Sequence, residues 1–204
     1  MNKTSLFSTT GTLGVRKNAA PRAPLAWRIS NTLRWAYIKG LLAVYIGVPL
    51  ARAFGLMSAY GKLEAVVTRA DGSKVNYGVL GFRVVTTAFV GYVTDQLQTE
   101  TSTFGDFKFH DSGVGTTAEA IGDTGIETTD GESRATGTQT ESAANAYRSV
   151  ATISYTTTKA ITEHGLFNDV TAGTLMDRTV FSAVNVVNGD SIQFTYTLTL
   201  TAGS

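Results

Sequence analysis

The chain has 204 residues, enough for one sizeable β-domain with an appendage or for two small domains. It contains no cysteine, which excludes a disulfide scaffold and thiolate metal sites. The 17 Lys or Arg nearly balance the 16 Asp or Glu, but they are unevenly spread: residues 1–62 hold nine basic residues and no acid. Residues 63–204 hold eight basic and sixteen acidic ones, so a basic leading segment joins an acidic body. Such a segment is expected to dock on an acidic surface, for instance that of another copy. Its cations are spaced out rather than clustered, so nucleic acid is not expected as a partner.

Residues 1–24 read as an extended arm, because "STTGTLG" and "PRAP" both oppose helix. From residue 25 to about 59 the pattern turns helical, with Trp27, Leu33, Trp35, Ile38, Leu41, Leu42, Tyr45 and Ile46 on an apolar face. Gly47 and Pro49 predict a break or kink, since proline lacks the amide donor. The uncharged run over residues 40–51 falls short of the roughly 20 apolar residues that span a bilayer. The first 24 residues also lack the apolar core of a signal peptide, and no membrane is expected. Arg22, Trp27, Arg28, Arg34, Trp35, Tyr37, Tyr45 and Arg52 are the candidate interaction residues, because arginine and aromatic side chains dominate interface energetics. The segment is expected to be loosely ordered alone and fixed on meeting a partner.

From Leu63 the apolar period changes to two. "KLEAVVTRADGSKVNYGVLG" predicts strand, Asp-Gly turn and strand. "FRVVTTAFVGYVTDQLQ" reads as a strand running into a short helix, and "FGDFKFHDSG" as a strand carrying Phe104, Phe107 and Phe109. Further on, Ala151, Ile153 and Tyr155 alternate with Val150, Thr152 and Ser154. At the end, Ile192, Phe194, Tyr196, Leu198 and Leu200 form one face of a half-buried antiparallel strand. An Asn-Gly turn precedes it. Seven to nine strands follow from this pattern, spaced as in a sandwich or jelly roll.

The stretch "HDSGVGTTAEAIGDTGIETT", residues 110–129, invites a nucleotide or metal reading. It lacks the lysine of a phosphate-binding loop and the third glycine of a dinucleotide fingerprint. Asp111, Glu119, Asp123, Glu127, Asp130 and Glu132 do not follow the alternate-residue order of an EF-hand, which leaves only a looser calcium site. His110 and His164 are the two histidines. Glu163 and His164 are successive strand residues, so they point to opposite faces and form no dyad. No catalytic, cofactor or metal residue is assigned. Gly113 and Gly115 are expected to let the chain leave a strand sharply into an exposed connection.

The order of "FHDSGVGTTAEAIGDTGIETT", "SRATGTQTE", "ITEHGLF" and "GTLMDRTVFSAVNVVNGDSIQFTYTLTLTAG" resembles β-rich virion proteins of tailed bacteriophages, over about residues 60–204. The resemblance implies a non-enzymatic virion component: a capsid decoration (cement) protein first, a tail, neck or fibre component second. Its implied partners are other copies of itself, in a homo-oligomer, and other virion proteins such as the major capsid or tail protein. The whole reading is a mainly β chain, an antiparallel β-sandwich of jelly-roll-like form over residues 60–204. A basic N-terminal arm with one or two helices fills residues 1–59, and no cofactor is expected. Two other classes stay open on the residues alone. A carbohydrate-binding module would use Tyr92, Tyr147 and Tyr155, and a glycosidase would need two carboxylates facing across a cleft.

Overall fold

The computed structural model describes residues 20–97 and 106–203. Residues 1–19 of the expected arm lie outside them, as does Phe104. The described strands are β1 (Ser58–Thr68), β2 (Lys74–Val85), β3 (Phe109–Gly113), β4 (Ala135–Thr136), β5 (Thr138–Ala143), β6 (Ala146–Ser154), β7 (Lys159–Phe167), β8 (Leu175–Val186) and β9 (Ser191–Thr201). They run β4-β3-β7-β8-β2-β1-β9-β6-β5, and their pairings are antiparallel.

β2 belongs to both halves of this order. Residues 74–83 pair with β1, whereas Val84 and Val85 pair with β8. The halves face one another, so that His110 on β3 reaches Ser149 on β6. The result is the mainly β, antiparallel sandwich that the period-two alternation predicts.

Local chemistry explains the turns. Between β1 and β2, Asp71 accepts the Ser73 amide at 2.8 Å, and Gly72 takes φ +81, a left-handed value that glycine adopts without strain. Gly189, in the predicted Asn-Gly turn before β9, does the same at φ +88.

Alternating side chains from both halves fill the core. Leu63, Val67, Ile161, Phe181, Val184, Ile192 and Phe194 meet there and are fully enclosed. Ile192, Phe194, Tyr196 and Leu198 face inward as their spacing predicts, as do Ala151, Ile153 and Tyr155. Leu200 does not: it lies near the end of β9, pairing with Asn145 beyond the core, and is 45% exposed.

Four α-helices are described: α1 (Leu25–Thr32), α2 (Trp35–Leu42), α3 (Val48–Ala53) and α4 (Thr87–Leu97). The strand-to-helix passage read at "FRVVTTAFV" is β2 into α4. There the Thr86 hydroxyl accepts the Phe89 amide, and Phe89 and Tyr92 pack edge-on against Phe107. At Gly47 and Pro49, where a break or kink is expected, the chain stays helical but departs from regular α geometry. A π-helical turn, Ala43–Gly47, joins α2 to α3, and Pro49 falls in the first turn of α3, where its missing amide costs little.

Candidate interaction surface

α1 is fastened to the body by three sets of bonds. Residues 21–23 run alongside the edge of β2, with Ala23 N donating to Asn76 O at 2.8 Å and Asn76 N to Pro21 O at 2.7 Å. Trp27 Nε1 donates to the carbonyls of Ser182 and Ala183 on β8, and its ring meets Tyr77 edge-on at 4.7 Å. Asn31 is buried, donating to Leu80 O at 2.8 Å and accepting the Ser182 amide at 3.0 Å. A buried amide satisfied on both sides fixes helix to sheet. So the segment expected to be loose is held on its own body from residue 21 to residue 31. An asparagine in a helical pattern gave no sign of this, since that position usually faces water.

Arg22, Trp27, Arg28 and Tyr37 come together with Tyr77 around a half-open groove of about 330 Å³. Arg22 and Arg28 are exposed there, and neither side chain makes a hydrogen bond or ion pair among the described residues. Arg34 and Trp35 line a neighbouring cavity of about 400 Å³ with Lys39, Phe82 and Glu119. Tyr45 and Arg52 lie further along, exposed to solvent.

The run Trp35–Ala53 rests on the body by one side. Tyr37, Gly40, Leu41, Val44, Val48 and Ala51 are half-buried, and Gly40 sits so close to Phe82 that a Cβ would collide with it. Tyr37 meets the Phe82 ring at 5.6 Å. The other side presents Trp35, Leu42, Tyr45, Ile46 and Leu50, continued by Phe54, all large and about half exposed or more. The unbroken run is 19 residues with mean hydropathy 1.3 and no buried residue, long and apolar enough by composition to cross a membrane. Residues 40–51 alone are too short to span a bilayer, but the helical run that contains them reaches that length.

Only the start of the glycine stretch is interior: the chain leaves β3 after Gly113, and most of residues 116–129 form the expected exposed connection. His110, Asp111, Ser112, Gly113 and Gly115 are buried. Neither Gly113 nor Gly115 has a positive φ; each is glycine because a Cβ would strike Glu163 and the returning chain at Glu127 or Thr128. The Glu163 carboxylate accepts the amides of Gly115, Glu127 and Thr128 at 2.8–2.9 Å and pairs with Arg178 at 2.7 Å. Asp123 and Glu127 also reach Arg178. Burial opposes the charge of Arg178, but its bonds to Glu163 and Asp123 outweigh that and hold its pKa above the ordinary value.

Glu163 and His164 do point to opposite faces, yet both are fully enclosed. His164 Nε2 meets His110 Nδ1 at 3.0 Å, His110 Nε2 meets Ser149 Oγ at 2.8 Å, and the His164 ring lies on Phe194. This serine–histidine–histidine chain has the partners of a nucleophilic relay, but no exposed surface through which a substrate could reach it.

Of the acids weighed for calcium, all but Glu119 are engaged elsewhere. Asp111 pairs with Arg134 at 2.9 Å, Asp130 accepts the Ser112 hydroxyl, and Glu132 pairs with Lys159 at 3.0 Å. Burial pushes the Asp111 and Asp130 carboxyls above the usual carboxylate range. Among the described residues no group of three or more His, Asp or Glu side chains is arranged to hold a metal ion. Tyr155 is in the core, and Tyr92 and Tyr147 are half-buried against Phe107 and Tyr196, so these rings form no exposed platform for a sugar. No known protein family, curated protein or solved structure matches the chain.

Proposed function

We propose that this chain is a non-enzymatic virion structural protein, held in the particle by the helical run Trp35–Ala53 and its flanks. The observation that carries this is the outer side of the run: Trp35, Leu42, Tyr45, Ile46, Leu50 and Phe54 stand uncovered in a segment with cations and no acid. Large exposed apolar patches mark interaction sites, and a cationic rim selects an anionic partner surface. The non-enzymatic part draws support from Ser149, His110, His164 and Glu163, which are sealed inside and committed to one another or to Arg178. The virion part rests on the motif order over residues 60–204.

The preferred station is capsid decoration, with the shell or neighbouring subunits as the surface covered; a tail, neck or fibre station is the alternative. Quantitative mass spectrometry of purified particles separates them. Copies numbering in the hundreds match a symmetric shell lattice, a few dozen or fewer match a tail, and none at all removes the virion reading.

The length and hydropathy of Trp35–Ala53 favour one second reading, insertion into a bilayer. The half-buried inner side, with Gly40 against Phe82, favours a surface helix instead. Flotation with liposomes of phosphatidylcholine and phosphatidylglycerol tests it: the virion reading predicts that the chain stays at the bottom of the gradient.

A further inference from the structure

We infer that the groove between Arg22 and Arg28 receives the exposed edge of β5, and Glu141 in particular, from a second copy of this chain. The inference rests on the reading of the N-terminal segment as a docking element, and names its partner.

The groove is built on fixed supports. Arg22 is placed by the backbone pairing of residues 21–23 with β2, and Arg28 by the helix that Trp27 and Asn31 fasten to β2 and β8. Two guanidinium groups with no counter-charge of their own thus flank Trp27, Tyr37 and Tyr77. Arginine and aromatic side chains on rigid elements are the make-up of an interface hot spot, and the guanidinium fork matches a carboxylate.

Nearly all carboxylates of the described residues are already engaged. Glu64 pairs with Lys62, Asp106 with Lys108, Asp111 with Arg134, Glu132 with Lys159 and Asp190 with Arg69. Asp123, Glu127 and Glu163 share Arg178, while Asp71 and Asp169 accept backbone amides in their own turns. Glu119 is free but half-buried. Glu141 alone among them is exposed with neither hydrogen bond nor ion pair.

Its setting suits an interface. β5 ends the sheet order, so one of its edges carries unpaired backbone groups, which invites another chain. Beside Glu141, Ala143, Ala144, Leu198 and Leu200 form a shallow, mainly apolar hollow. Groove and edge are different surfaces of one molecule, so their contact is head-to-tail and extends to a ring or a row.

The test uses the full chain and two variants, Arg22→Glu/Arg28→Glu and Glu141→Lys, each checked for an unchanged melting curve. Sedimentation velocity at low salt should show the unaltered chain associating with rising concentration, and association weakening about tenfold or more in either variant alone. Mixing the two variants should restore it, because each junction then joins opposite charges. If the acidic variant misfolds, Arg22→Gln/Arg28→Gln takes its place, with the same loss expected. A chain that stays monomeric, association that survives the reversals, or a mixture that does not associate each overturns the inference. Association with this charge pattern in a chain absent from purified particles would instead remove the virion reading and leave the contact standing.

Discussion

Arg178 Nε donates to the Glu163 carboxylate at 2.7 Å, with Glu163 wholly enclosed and Arg178 3% exposed. The same carboxylate takes three amides from the chain on either side of residues 116–126. One side chain therefore ties β7 to β8 and closes the base of the glycine-rich loop. Glu163→Gln keeps the size but removes the charge, leaving a buried guanidinium with the more exposed Asp123 and Glu127. Breaking a buried pair from one side costs about 3–5 kcal/mol, so a large fall in melting temperature is expected. Hydrogen exchange should rise at the amides of Gly115, Glu127 and Thr128. An unchanged melting curve would show that the loop closes without this carboxylate.

Phe194 is fully buried between the halves of the sandwich, against the His164 ring. Phe194→Ala leaves a cavity there and should cost about 3–5 kcal/mol, read by denaturant unfolding. A loss under about 1 kcal/mol would mean that the core collapses around the gap.

That core was legible because β9 alternates strictly, and Phe194 and its neighbours announce their face by spacing alone. The Asp-Gly hairpin was legible because a left-handed glycine leaves a short-range signature. Glu163 and Arg178 were not, since alternation assigns the face away from the core to water. Here the segment containing Gly115, Glu127 and Thr128 folds back over that face and buries it. Asn31 was hidden for the same reason: its partners Leu80 and Ser182 are 49 and 151 residues away in sequence. Gly47 and Pro49 marked the place of the helix irregularity but not its form, a π-turn that puts Pro49 at the start of a helical segment.

Asn31→Ala should lower stability by about 1–3 kcal/mol, because the Ser182 amide loses its buried acceptor. Fluorescence of the two tryptophans should respond, since Trp27 lies one turn earlier on the same helix. Deletion of residues 1–59 is a harsher form of this change. It removes Trp27 and Asn31 together, so the remaining body is expected to melt earlier than the full chain.

Asp190 gives the fold a defined acid dependence. Burial raises its pKa, but Arg69 at 2.7 Å and the amides of Ala70 and Val187 lower it by more, so the folded value lies below the ordinary one. Stability from this group is present above the unfolded pKa of about 3.9 and is lost as pH falls through the folded value. Asp190→Asn should therefore be less stable at pH 7, and its melting temperature should fall less between about pH 4 and pH 2 than that of the unaltered chain. Parallel curves would contradict this assignment.

The central claim is that the outer side of Trp35–Ala53 holds the protein in a particle. Leu42, Ile46 and Leu50 recur every fourth residue on that side and are about half exposed. Replacing all three by glutamate leaves Tyr37, Gly40 and Phe82 untouched, so the melting temperature should barely move. The decisive measurement is the amount of this triple variant in purified particles, quantified by mass spectrometry beside the unaltered chain. The account predicts a soluble, folded variant whose incorporation falls at least about tenfold, as expected when the apolar centre of an interface is lost. Incorporation at the unaltered level would contradict it.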